Sequence, residues 1–198
     1  MELGLSTMLD ADTRLTLLRA ACQSIEHGLT GGRYRFGDNS SNLILRELLA
    51  SFVTLKRHGV LRGCIGTLEP RRLLLDDVIH NARAAAFEDP RFPALTAPEL
   101  EDLHIEISVL TAAEPIDANS RAELLLILKP HEDGLIVQEG KRRATFLPSV
   151  WSTLSVPDIF YNALMRKAGF GTDHWSSNIK FFRYRTDSFG QKFSQQYS

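Results

Sequence analysis

The sequence predicts an α+β fold with a mainly antiparallel sheet and packed helices. Three observations carry this. Phe52-Val53-Thr54-Leu55-Lys56 and residues 60–67 alternate about the tight turn Arg57-His58-Gly59, as a hairpin does. Residues 103–110 alternate apolar Leu103, Ile105, Ile107 and Val109 with polar His104, Glu106 and Ser108, which makes a half-buried strand. Helical patterns lie between these runs without a regular strand–helix alternation, which argues against a parallel sheet.

Taken in order, Asp12 is placed to cap a helix reaching His27. Leu15, Leu18, Cys22 and Ile25 form its apolar stripe, and Gly28 stands just past its end. Residues 31–41 read as a polar, glycine-bearing loop, and residues 43–49 fit either a short helix or a strand. After the hairpin, Pro70 opens a helix over 71–86 with Leu74, Leu75, Val78, Ala82 and Ala85 buried. Asp89-Pro90-Arg91-Phe92-Pro93 is a stiff loop that displays Asp89 and Arg91, because its prolines forbid helix. Thr96 and Glu99 have capping-box spacing for one short helical turn, and Ser120 and Glu123 start a helix that Pro130 stops. Residues 135–138 and 142–147 form a second hairpin. Pro157 begins a helix closing at Gly169, with Ile159, Phe160, Ala163 and Leu164 inward, and residues 179–185 are a final strand. The tail from Ser188 is polar and expected to fray.

Composition narrows the function. The 198 residues are 43% apolar and 24% charged, ordinary for a globular protein, with a net charge of −1. Such balance gives no global field for nucleic acid or an anionic membrane, so Arg71-Arg72 and Lys141-Arg142-Arg143 read as solvated turns. No apolar run approaches the roughly 20 residues that span a bilayer, and the first residues do not read as a secretory signal. The two cysteines, Cys22 and Cys64, fit no zinc or redox spacing, so a cytoplasmic protein is expected. Residues 28–37 carry neither a phosphate loop nor a dinucleotide fingerprint, and no cofactor is expected. His104 and Glu106 are suited to orient a base or bind a metal, but the sequence points to no third ligand, so no metal is expected.

The chemistry concentrates in Leu61-Arg62-Gly63-Cys64-Ile65-Gly66. In a regular strand Val60, Arg62, Cys64 and Gly66 share one face, and Leu61, Ile65 and Thr67 the other. Two glycines within four residues suggest a bulge or a close approach to the backbone, and Gly66 leaves an open notch beside the thiol. Arg62 on the same face favours the thiolate. Cys22, on a helical stripe, reads as a small buried hydrophobe.

This hexapeptide resembles the signature of the AMMECR domain family, whose prokaryotic members are called AmmeMemoRadiSam system protein A. Phe52-Val53-Thr54-Leu55, Asp89-Pro90-Arg91-Phe92-Pro93, Ile107-Ser108-Val109-Leu110, Phe146-Leu147-Pro148, Lys167-Ala168-Gly169 and Trp175 follow in the family's order. The resemblance covers residues 13–185 and implies one domain of two lobes with a cleft between them, leaving 186–198 as a tail. It also implies a Memo-like protein and a radical-SAM enzyme as partners, but no settled reaction.

Two functions follow as expectations. In one, the chain is an enzyme or accessory enzyme acting on a small anionic metabolite or modified residue. Cys64 is then nucleophile or acid/base, and Arg62, Gly63, Gly66, Asp89, Arg91 and Glu106 form the ligand-binding set, with both arginines gripping the anion. Within that set, Asp89 and an arginine have an alternative use, pairing with each other to fasten their loop. In the other function, the chain is a non-catalytic adaptor for the Memo-like and radical-SAM partners.

Overall fold

A computed structural model describes residues 9–31, 34, 37 and 42–197. The chain divides into two compact units: Met1–Leu110 with Asp187–Ser198, and Thr111–Thr186. Most of the predicted loop over 31–41 lies outside the described residues. No helix among those described is long and apolar enough to cross a membrane.

The first unit is a four-stranded sheet with two helices on one face. Its strands are β1 (Ser51–Arg57), β2 (Val60–Gly66), β3 (Leu103–Leu110) and β8 (Thr186–Lys192), in the order β2-β1-β3-β8. The β1–β2 hairpin turns through His58 and Gly59 at φ 50° and 78°. Two consecutive left-handed residues give a turn whose twist matches that of the strands, and glycine takes one of them without strain. Val53, Leu55, Ile105 and Ile107 point into a core shared with α1 (Ala11–Leu29) and α2 (Leu74–Phe87). Each such side chain stabilises the unit by roughly 1.5–3 kcal/mol.

Several boundaries differ from expectation. Asp10, not Asp12, caps α1 by accepting from the Thr13 amide, and Gly28 lies inside the helix against the Phe87 ring. Residues Leu43–Arg46 form a 3-10 turn. Helix α2 begins at Leu74, because the Leu74 amide donates to the Glu47 carbonyl and Leu73 is held extended in a bridge to Leu48. The tail does not fray. β8 completes the sheet, Asp187 accepts from the Leu9 amide and pairs with Arg14 at 2.8 Å, and Phe193 is buried. Its alternating polar residues face water on one side only.

The second unit has the sheet order β4-β7-β5-β6, from β4 (Glu114–Ile116), β5 (Gly134–Glu139), β6 (Arg142–Phe146) and β7 (Lys180–Tyr184). Helices α3 (Arg121–Ile127) and α4 (Pro157–Lys167) supply the cover. Trp151 stacks on Phe160 in its core at 3.7 Å, and the indole N–H donates to the Asp133 carbonyl at 2.7 Å. Ile159 is exposed, against expectation. The buried face of α4 runs through Phe160, Tyr161, Leu164 and Met165 instead.

Candidate functional site

The hexapeptide occupies β2, an edge strand. Register fixes its geometry. Thr54 faces Cys64 and Leu55 faces Gly63, but Lys56 faces Leu61, so Arg62 is the extra residue of a β-bulge. Regular alternation therefore fails at Arg62. Leu61 and Cys64 both lie opposite outer-face residues of β1, and Leu61 is 40% exposed instead of buried. Arg62 is turned away to the short helical turn Ala97–Asp102. There its Nε donates to Glu99 Oε1 at 2.7 Å, and its Nη2 donates to Glu99 Oε2 at 3.2 Å and to the Pro93 carbonyl at 2.9 Å. Arg57 adds a third donor to Glu99 at 3.3 Å. Arg62, first, together with Thr96 brings the Glu99 carboxyl down to about 2 despite its burial.

The glycines serve packing. A Cβ on Gly63 would stand 2.1 Å from the Ala85 carbonyl oxygen, so only glycine lets α2 lie this close to β2. The expected notch at Gly66 is filled. A Cβ there would stand 2.4 Å from both the Phe52 ring and the Ser51 carbonyl oxygen.

Asp89 and Arg91 act on Cys64 from the open edge of the sheet. The Cys64 amide donates to Asp89 Oδ2 at 2.9 Å, and Arg91 Nη2 donates to the Cys64 carbonyl at 3.2 Å. Arg91 also grips Asp89 through Nε at 2.9 Å and Nη2 at 2.7 Å. The two side chains thus do what a neighbouring strand would do, covering edge groups that otherwise seek a partner. Asp89 is buried, not displayed, and its side chain is only 2% exposed while that of Arg91 is 54% exposed. The Arg91 guanidinium, above all, holds the Asp89 carboxyl well below the usual carboxylate range; burial opposes this and the Cys64 and Arg91 amides add to it.

Because the outward backbone groups of Cys64 face the loop, its pairing with Thr54 is the close, non-hydrogen-bonded kind. The Thr54 hydroxyl accordingly donates to the Cys64 sulfur at 3.3 Å, and Cys64 is half-buried. Glu106 stands opposite Thr54 on the next strand, completing a row Cys64–Thr54–Glu106 across the outer face. Lys56 pairs with Glu106 at 2.9 Å. Cys22 has no such setting: it is fully buried, and desolvation pushes its thiol up to about 12.

The structure therefore gathers Cys64, Asp89 and Arg91 directly, sets Glu106 one strand beyond Thr54, and turns Arg62 elsewhere. Thr54, Lys56 and Glu99 were missed as neighbours. Counting residues from the two-residue turn puts Gly63 opposite Thr54, and only the bulge brings Cys64 there. Of the basic clusters, Arg71 pairs with Glu69 at 3.3 Å, while Arg142 lies over the Phe170 ring and donates to the Gly169 carbonyl. Among the described residues no group of three or more His, Cys, Asp and Glu side chains is placed to hold a metal.

Comparison with known proteins identifies the family and the fold. A protein of Methanothermobacter thermautotrophicus is 36% identical over 186 residues, covering 91% of this chain and 95% of the relative. One from Thermofilum pendens is also 36% identical, covering 91% of each. The crystal structure of an uncharacterized protein from Pyrococcus horikoshii superposes with a TM-score of 0.85 at 30% identity, covering 95% of this chain and 96% of that one. The AMMECR1 family profile matches residues 18–189, and the chain belongs to the AMMECR1 family.

Proposed function

We propose that this chain is an enzyme or accessory enzyme acting on a small anionic metabolite or modified residue, with Cys64 at the reacting centre as nucleophile or acid/base. One observation carries the reading: both backbone groups of Cys64 are held by Asp89 and Arg91, while the residue is only partly buried and a hydroxyl donor stands beside its sulfur. A thiol fixed from behind and reachable from in front is preorganised to react. Arg91 is the anion grip, since more than half of its side chain is exposed and its Nη1 makes no hydrogen bond to a described residue. Arg62 is not available for that work, being closed on Glu99. Gly63 and Gly66 shape the strand, and Glu106 with Lys56 borders the site. We place the protein in the cytosol, a reducing compartment that suits two free thiols, in company with the Memo-like and radical-SAM proteins that the family implies.

A second reading has its own support. Both arginines already hold carboxylates, which suits a non-catalytic adaptor for the same partners. Alkylation of the folded protein separates the two. The enzyme reading predicts that Cys64 alkylates and that inorganic phosphate or citrate slows the reaction in wild type but not in Arg91→Gln. An unreactive Cys64, with a tight complex recovered on co-purification with either partner, supports the adaptor and overturns the enzyme.

A further inference from the structure

The second unit carries a cavity of about 760 Å³ where β4 ends. The β4–β7 ladder stops at the pair Ile116 and Phe181, and residues 117–119 then leave β7. Trp175 forms one wall, stacked on Phe181 at 5.5 Å, and Pro115 and Phe182 add apolar surface. The turn bearing Trp175 is fixed from several sides. Glu139 hydrogen-bonds His174 Nε2 at 2.7 Å and accepts from the Ser176 hydroxyl. The Asn178 amide donates to Ser176 Oγ at 3.1 Å, and the Tyr161 hydroxyl to the His174 carbonyl at 3.4 Å. The indole is thus a preset platform.

Two opposite charges line the same cavity. Were the ladder to continue one step, Asp117 and Lys180 would face each other; because the chains diverge, they do not pair. Neither side chain makes an ion pair or hydrogen bond among the described residues. Two nearby polar groups are already used, since Asn119 donates to Glu123 and Ser120 caps α3. An unspent carboxylate and an unspent ammonium beside a fixed aromatic wall match an occupant with an ammonium, a carboxylate and a flat apolar body.

We propose that this cavity binds a small zwitterion of the aromatic α-amino-acid class, its ammonium on Asp117, its carboxylate on Lys180 and its ring against Trp175. Nucleotides fit poorly, because Lys180 is the only cation among the described residues that line the space. The site is independent of Cys64, and its failure would leave the reading of Cys64 untouched.

The test uses the full chain, calorimetry, and three probes: L-phenylalanine, 3-phenylpropionate, which lacks the ammonium, and phenethylamine, which lacks the carboxylate. L-phenylalanine should bind saturably with a Kd on the order of 1 mM or tighter, and each half-analogue roughly two- to fivefold more weakly, as exposed ion pairs dictate. Asp117→Asn should weaken L-phenylalanine and phenethylamine but leave 3-phenylpropionate unchanged. Lys180→Gln should weaken L-phenylalanine and 3-phenylpropionate but leave phenethylamine unchanged. Both residues are exposed, so the variants keep the fold. No saturable binding of L-phenylalanine, or equal binding of all three probes that neither variant alters, overturns the proposal.

Discussion

Two arginine–carboxylate pairs flank the Cys64 strand, and they are built oppositely. In Arg62–Glu99 both side chains are largely covered, at 11% and 15% exposure, and the pair closes on itself to tie β2 to the Ala97–Asp102 turn. In Arg91–Asp89 only the acid is covered, and the guanidinium faces out. The first pair spends its charge on the fold. The second uses its acid to hold the Cys64 amide and leaves the guanidinium open to solvent. Residue type alone does not separate them. What does is which partner is buried, and a one-residue bulge decides that for Arg62.

Substitutions sharpen the contrast, the largest effect lying beneath both pairs. Gly63→Val forces a side chain into the Ala85 carbonyl and should cost about 3 kcal/mol or more of stability, seen as a lowered denaturant midpoint. Asp89→Ala strands the Cys64 amide and frees Arg91, and should cost about 2–3 kcal/mol while changing the alkylation rate of Cys64. Glu99→Gln should cost about 1–2 kcal/mol through Arg62 and Arg57, with the alkylation rate of Cys64 unchanged. Equal effects of these two substitutions on alkylation would erase the distinction between the pairs.

Acid reports on both pairs together. Asp89 and Glu99 bind protons less readily folded than unfolded, where carboxyls titrate near 4. Their contribution is therefore complete above the unfolded values. It falls away as pH drops, through about 2 for Glu99 and further still for Asp89. Equilibrium unfolding below pH 5 should show wild type losing stability with falling pH, and the double variant Asp89→Asn/Glu99→Gln losing less. The smallest effect belongs to Arg91→Lys, which should stay within about 1 kcal/mol of wild type in stability while losing the fork proposed to grip an anion.

Much of this was legible in the sequence, because local rules governed it. The alternation at 103–110 gave β3, and His58-Gly59 gave the hairpin turn. The capping spacing of Thr96 and Glu99 marked a real helical turn, in which Glu99 accepts from the Thr96 amide at 2.8 Å. Illegible features depended on long-range contacts. The paired glycines did point to a bulge or a close approach, but the bulge's place at Arg62 answers to Glu99, the late start of α2 to Glu47, and the ordering of the tail to β3 and Arg14. The candidate site was half legible: Cys64, Asp89 and Arg91 stood out as residue types in stiff or glycine-flanked segments, but the partners Thr54 and Glu99 required the true register.

The central claim is that Cys64 offers a reachable sulfur on a backbone pinned by Asp89 and Arg91. Counting alkylated thiols in the folded wild type tests it most directly. One fast-reacting thiol, absent from Cys64→Ser, with Cys22 silent until the protein unfolds, is the predicted result. Two silent thiols in the folded protein would contradict it.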